Sequence, residues 1–327
     1  MKLASLKSSN RDGELIIVDH RLSRYSRAES VAPTLQLAIE NWSDCQDRLQ
    51  KIADELNRNP DMGSALKLND LASPLPRAYQ WLDGSAYLSH VERVRKARGA
   101  EMPASFLTDP LMYQGGSDKF LGPTDPIFAN SEDEGIDFES EVAVVTDDVP
   151  QGVKVAAAAS HIKLIMLVND VSLRNLIPAE LAKGFGFIHG KPPTAFSPVA
   201  VTPQELGDAW RDAKVHLPLH TYYNNNWFGD PDAGIDMQFS FAQLIAHAAT
   251  TRPLKAGTII GSGTVSNQDT ARGCSCFAEK RVLEIIHSGE ASTPFMKFGD
   301  KVRIEMIDDA GQSIFGGIEQ EVMKCQT

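Results

Sequence analysis

Residues 135–145, GIDFESEVAVV, alternate as a half-buried strand does. Successive side chains of a strand face opposite ways, so Ile136, Phe138, Ser140, Val142 and Val144 share one face. Asp137, Glu139, Glu141, Ala143 and Val145 share the other. Glu139 and Glu141 would then lie roughly 6–7 Å apart, in a segment whose Val-Ala-Val-Val end reads as core. Carboxylates that close repel unless something positive lies between them. KLIMLVND (163–170) and GTIIGSGTVSN (257–267) are further apolar runs bounded by turn residues, and MKLASLK and GELIIVDH read as strands joined around Asn-Arg-Asp-Gly. KVRIEMIDDAGQSIFGG (301–317) alternates and turns at 309–311, a hairpin pattern. One helix is predicted, opening at Pro33 and closing before Asn59-Pro60. Its apolar stripe (Leu35, Ala38, Trp42, Cys45, Leu49, Ile52, Leu56) fits a helix packed on its own domain better than a coiled-coil seam. Residues 58–76 read as a linker. The pattern thus divides the chain into a small N-terminal domain, 1–75, of strands plus one amphipathic helix, and a larger, strand-rich domain, 76–327.

Charge narrows the function. With 327 residues, 42% hydrophobic and 23% charged, the composition is that of an ordinary globular protein, but the net charge is −11. An acidic chain is a poor partner for nucleic acid or an anionic membrane surface. No apolar run approaches the roughly 18 residues of a membrane span, and MKLASLKSSNRDGE lacks a signal-peptide apolar region. Cys45, Cys274, Cys276 and Cys325 show no metal-ligand spacing, so reduced thiols in a cytoplasmic protein are expected.

Familiar catalytic signatures are absent. There is no G-x-S-x-G, no H-E-x-x-H and no Walker loop, and the glycines at 184, 186 and 190 are one residue too widely spaced for a dinucleotide loop. The eight histidines do not cluster, which leaves oxygen ligands. Asp170 ends the run KLIMLVND, where a strand-end carboxylate reaches a cleft, although an ordinary capping Asp before Ser172 fits the same position. Glu139 and Glu141 likewise fit either a metal site or an exposed strand face. Carboxylates converging without His or Cys select a hard cation such as Mg²⁺, Ca²⁺ or Mn²⁺.

DFESEVAVV, LVNDVSLRN, FIHGKPPTAFSP and GSGTVSN, in that order and spacing, resemble the fumarylacetoacetate hydrolase family from about residue 80 onward. The resemblance implies an α+β, predominantly β fold: a mixed β-sandwich roll with a small N-terminal domain, usually a homodimer. It implies Glu139, Glu141 and Asp170 as ligands of Mg²⁺ or Ca²⁺. WLDGSAYLSHVERVRKARG is similar to the segment that supplies a fourth metal-binding Asp and a catalytic His seven residues later, here Asp83 and His90. The same comparison puts Arg98, Tyr113 and Thr264 near the substrate, Lys191 at the developing oxyanion, and Glu279 behind His90. Two polar residues of the longer hydrolases, a Gln and a Tyr, are replaced by Ile177 and Leu181.

The reaction implied is hydrolysis of a C–C bond in a small anionic β-diketo or 2,4-dioxo acid, as in aromatic compound catabolism. Three competing readings are a decarboxylase, isomerase or hydratase on 2-oxo acids, a non-catalytic metal-stabilised binding protein, and a partner-binding protein built around the 34–57 helix.

Overall fold

The alternation at 140–146 divides the structure into two cores. Val142 and Val144 enter one apolar cluster, and Ala143 and Val145 enter the other, on the opposite face of the same strand. The computed structural model describes residues 1–59, 61–97 and 103–326. Its N-terminal part forms β1 (Lys2–Leu6), β2 (Glu14–Val18), β3 (Arg24–Arg27), α1 (Leu35–Glu40), α2 (Trp42–Arg58) and β4 (Ser64–Ala65). Next come β5 (Trp81–Gly84), α3 (Leu88–Ala97), β6 (Met112–Gly115), β7 (Ile127–Ala129), β8 (Ile136–Asp137), β9 (Ser140–Thr146), α4 (Val155–Ala158) and β10 (Ile162–Asn169). β11 (Ser172–Leu173), α5 (Ile177–Leu181), β12 (Ala195–Phe196), β13 (Ala200–Val201), β14 (Trp210–Arg211), β15 (Lys214–Val215), β16 (His220–Tyr223) and β17 (Asn226–Gly229) follow. The chain closes with α6 (Phe241–Ala248), β18 (Ile259–Gly261), α7 (Phe277–Ser288), β19 (Lys301–Glu305) and β20 (Ile318–Lys324).

Eleven described strands form one mixed sheet in the order β4-β3-β2-β1-β13-β10-β9-β18-β5-β6, with β12 also on β10. A second sheet, β17-β16-β19-β20-β7, has five. The two share a core of Val142, Val144, Ile165, Leu167, Val302, Ile304, Ile318 and Val322, closed at one side by α6. The far face of the large sheet is covered by α1 and α2, whose Leu35, Trp42, Leu49 and Leu56 pack with Leu3, Ile17, Val145 and Met166. β1 pairs with β13 through Lys2↔Val201 and Leu3↔Ala200, so a single sheet runs across the expected 75/76 boundary.

Two local expectations are corrected. The single predicted helix is two, because Asn41 leaves helical geometry (φ −122°, ψ 39°) and its Nδ2 donates to Leu37 O at 3.0 Å. An Asn side chain that competes for backbone groups in this way favours helix ends over helix interiors. The expected linker is packed: Leu71 and Leu75 are buried, and Ser5 Oγ donates to Pro74 O at 2.7 Å. The hairpin expected over 301–317 reaches further along the chain: β19 pairs with β20, which begins at Ile318, and Asp308 N donates to Gln312 O in the connection. No described helix is long and apolar enough to cross a membrane.

Candidate active site

Four neighbouring strands bring the acids together. β6, β5, β18 and β9 lie side by side, with Tyr113 opposite Asp83, Asp83 opposite Gly261, and Gly261 opposite Ala143. Only glycine fits at 261, because a Cβ there would collide with Asp83 Oδ1 and the Trp81 ring. That gap lets the Asp83 carboxylate lean across β18 towards Glu141, two residues before Ala143. Asp170 follows β10, which pairs with β9 at Val168↔Glu141. One oxygen from each of Asp83, Glu141 and Asp170 lies within 4.8 Å of the others, and all three residues are buried.

The partners within this trio are unequal. Asp83 Oδ1 accepts from Gly263 N at 2.9 Å. Asp170 Oδ1 accepts from Thr194 Oγ1 at 2.7 Å, and its Oδ2 from Tyr113 Oη at 2.5 Å and Lys191 Nζ at 2.6 Å. Glu141 has no donor on either oxygen. Burial, and then the Asp83 and Asp170 charges, push the Glu141 carboxyl well above the usual range. Burial and Asp170 do the same to Asp83. Burial and Asp170 also raise the Tyr113 phenol, which keeps its proton and donates it.

Glu139 is not brought into the trio. The strand pattern breaks between Asp137 and Ser140, and Glu139 turns to two cations. Its Oε1 accepts from Arg174 Nη2 at 2.6 Å and its Oε2 from Lys191 Nζ at 2.6 Å. Burial opposes the Glu139 charge, but Arg174 and Lys191 hold the carboxyl far below its ordinary value. Burial likewise opposes the Lys191 ammonium, and Asp170 with Glu139 more than restores it. Arg174 Nε also donates to Asp137 Oδ2 at 2.8 Å, and Asp137 caps α7 by accepting from Phe277 N and Ala278 N. Five buried carboxylates (Asp83, Asp137, Glu139, Glu141, Asp170) thus face two cations, Lys191 and Arg174, a deficit of three positive charges if all are ionised.

The second half of the site lies along residues 263–266. Gly263 holds Asp83, Thr264 is buried next to it, and Ser266 Oγ donates to Glu279 Oε1 at 2.8 Å. His90 on α3 and Glu279 on α7, 189 residues apart, meet with Nδ1 and Oε2 separated by 3.0 Å. With its proton on Nδ1, as a carboxylate acceptor requires, the imidazole keeps a free lone pair on Nε2. Burial raises the Glu279 carboxyl, but His90, Arg93 and Ser266 outweigh it and hold it low. Cys276 also approaches this pair, but burial pushes its thiol well up and Arg93 already occupies Glu279, so the cluster is poorly suited to a cation. Arg98 lies outside the described residues.

Residues 80–323 match the model of the fumarylacetoacetate (FAA) hydrolase C-terminal domain, and residues 1–77 match fumarylacetoacetase N-terminal domain 2. The chain belongs to the fumarylacetoacetate hydrolase family. A Burkholderia ambifaria protein named only by the hydrolase class is 29% identical over 160 residues, 48% of this chain and 53% of that one. The chain spans about half the length of the curated relatives it matches. The fumarylacetoacetate hydrolase of Exiguobacterium antarcticum shares the fold with a TM-score of 0.68 and 17% identity, covering 99% of this chain and 100% of that one. Maleylpyruvate hydrolase of Sphingobium sp. SYK-6, solved with manganese(II) and pyruvate, aligns with a TM-score of 0.64 at 16% identity over the whole of both chains. A Mycobacterium smegmatis 5-carboxymethyl-2-hydroxymuconate delta-isomerase does so with a TM-score of 0.62 at 17% identity, also over both whole chains.

Membership in the fumarylacetoacetate hydrolase family does not by itself single out Arg174, Arg93, Thr194 or Ser266, which sequence reading missed. Arg174 had a signal, lying four residues past Asp170 in LVNDVSLRN. Arg93 follows His90 by three, on the same helical face. Thr194 and Ser266 lie inside the FIHGKPPTAFSP and GSGTVSN segments but were not singled out there.

Proposed function

We propose that this chain is a divalent-metal-dependent hydrolase that cleaves a carbon–carbon bond in a small 2,4-dioxo acid. One observation carries the reading: a buried acid trio whose contacting cation, Lys191, is shared with Glu139, and in which Glu141 has no donor, is joined through residues 263–266 to a histidine held by a carboxylate. An all-oxygen donor set suits Mg²⁺, Ca²⁺ or Mn²⁺, and Asp83, Glu141 and Asp170 would hold the ion. Such an ion supplies Lewis acidity to a chelated carbonyl.

The chain's own residues do the rest. His90 Nε2 takes a proton from water, whose oxygen adds to the carbonyl carbon. Glu279 fixes the ring and stabilises the imidazolium. The bond to the methylene carbon then breaks, the electron pair stays on that carbon, and the proton held by His90 returns to it. The products are a carboxylic acid and a 2-oxo acid. Lys191 and Arg174 offer positive charge where the oxyanion develops, and Tyr113 and Thr264 line the site as candidate substrate contacts. Isomerase neighbours share this fold, but a water-activating His90–Glu279 pair favours hydrolysis.

The test is a panel of acylpyruvates and fumarylacetoacetate-like acids, followed by loss of enol absorbance with Mg²⁺ or Mn²⁺ and after EDTA. Metal-dependent loss is expected, with a carboxylic acid and an oxo acid in equal amounts, a 2-oxo acid from an acylpyruvate and a 3-oxo acid from a fumarylacetoacetate-like substrate. Metal binding without cleavage of any panel member would overturn the reading.

A further inference from the structure

Glu279 has two masters. Its Oε2 accepts from His90, while its Oε1 accepts from Ser266 Oγ and from the Arg93 guanidinium. Arg93 is buried, at 9% exposure, and its other donors reach Ser266 Oγ at 3.1 Å, Asn267 O at 2.6 Å and Gln268 O at 3.1 Å. One side chain therefore ties α3, which carries His90, to both α7 and the segment after β18. A planar guanidinium is suited to this, because its fork serves several acceptors at once.

We propose that Arg93 is a positioning residue that shares Glu279 with His90, seating the imidazole while limiting how strongly Glu279 favours its protonated form. A lone buried carboxylate beside His90 would stabilise the imidazolium and make the ring a base already spent at neutral pH. Arg93, in contact with the same carboxylate, opposes that pull while leaving the Glu279–His90 hydrogen bond in place. The groups facing the imidazole are Glu279 and Cys276 from α7 and its cap, and Arg93 from its own helix reaches the far oxygen of Glu279. Behind Cys276 stand Asp137, Glu139 and Arg174, while Lys280 acts on Cys274, and Glu92 is turned to Gln268. Of these, Arg93 is the cation in direct contact with Glu279.

This rests on His90 as the base, and its test is chosen to stand apart from the choice of substrate. The His90 ring is titrated by NMR, assigned through His90→Ala, in the wild type, Arg93→Met, Arg93→Gln and Arg93→Lys. Removing a nearby like charge raises a pKa by about one unit or more, so the two neutral variants should titrate about one pH unit higher. Arg93→Lys, which keeps the charge but not the fork, should stay near the wild type. On any substrate that is turned over, the acid limb of kcat/KM should move with the ring, and Arg93→Lys should lose kcat without that movement. Arg93→Gln retains donors for Ser266 and Asn267, so it reports even if Arg93→Met fails to fold. A folded Arg93→Gln with an unmoved His90 titration would overturn the proposal, whether or not any dioxo acid is cleaved.

Discussion

Replacing Glu141 by Gln should make the metal-free protein more stable and cancel that advantage once metal is loaded. Oxygens of Glu141, Asp83 and Asp170 lie within 4.8 Å of one another. At an effective dielectric constant near 20, each ionised pair then costs at least ~3.5 kcal/mol. The metal-free protein has a cheaper route, which is to keep Glu141 protonated. From its ordinary value of 4.5, that costs about 3.4 kcal/mol at pH 7. Because the folded pKa is raised, this penalty is absent below about pH 4.5 and grows as pH rises towards the folded value. A Gln side chain escapes it and can donate to a neighbouring carboxylate. In EDTA at pH 7, Glu141→Gln should therefore gain up to ~3 kcal/mol. For 327 residues at about 2.1 cal/mol/K each, that is ~4 °C in Tm, shrinking to nothing near pH 4.5. With Mg²⁺ or Mn²⁺ at 100 times Kd, the wild type should gain about 2.7 kcal/mol and Glu141→Gln almost nothing, bringing the two Tm values level or reversing them. Differential scanning calorimetry over a pH series with and without metal reads both effects. A metal-free Glu141→Gln less stable than the wild type at pH 7, with an undiminished metal shift, would refute the crowded-acid account.

Other outcomes follow from the same contacts. His90→Ala should keep its calorimetric metal affinity while losing about 10²- to 10⁴-fold in turnover, and Glu279→Gln should lose less; equal losses of metal binding would count against separate roles. Glu284 accepts from Ser292 N, Thr293 N and the Thr293 hydroxyl. Burial works against its charge, but these donors together outweigh it and lower its pKa to about 2. Its contribution to stability should be full above pH 4.5 and vanish as pH falls through about 2, so Glu284→Gln should lower Tm at pH 7 and match the wild type near pH 2. Leu49, wholly buried on the inner face of α2, should cost about 2–5 kcal/mol as Leu49→Ala, read as a fall in urea midpoint at constant slope.

Much of the site could be read in the sequence because its chemistry is written in short strands. The alternation at 135–145 correctly sorts Val142 and Val144 from Ala143 and Val145, and a strand-end position marks Asp170. What alternation could not supply is the interruption between β8 and β9, where the Glu139 carboxylate is taken up by two cations. Its cause is tertiary: Glu139 N bonds to Asn169 Oδ1, and its carboxylate bonds to Arg174 and Lys191, 35 and 52 residues away. The helix break at Asn41 was written in a single residue and overridden by a stripe that runs through it. The packed course of 61–76 was hidden because its buried leucines, Leu71 and Leu75, meet partners on β1 and beyond rather than one another.

The pairing of β1 with β13 bears on how such chains recombine. Domain models divide the sequence between residues 77 and 80, yet the hydrogen-bonded ladder crosses that seam in space. A chimera joined there inherits an obligation from its other half. Its first strand must offer apolar side chains to both faces, as Leu3 and Ala4 do, in the register Lys2↔Val201. Otherwise β13 becomes a raw sheet edge open to pairing with another chain. Exchange of N-terminal modules between relatives should therefore succeed or fail on a five-residue strand, whatever the helices above it look like.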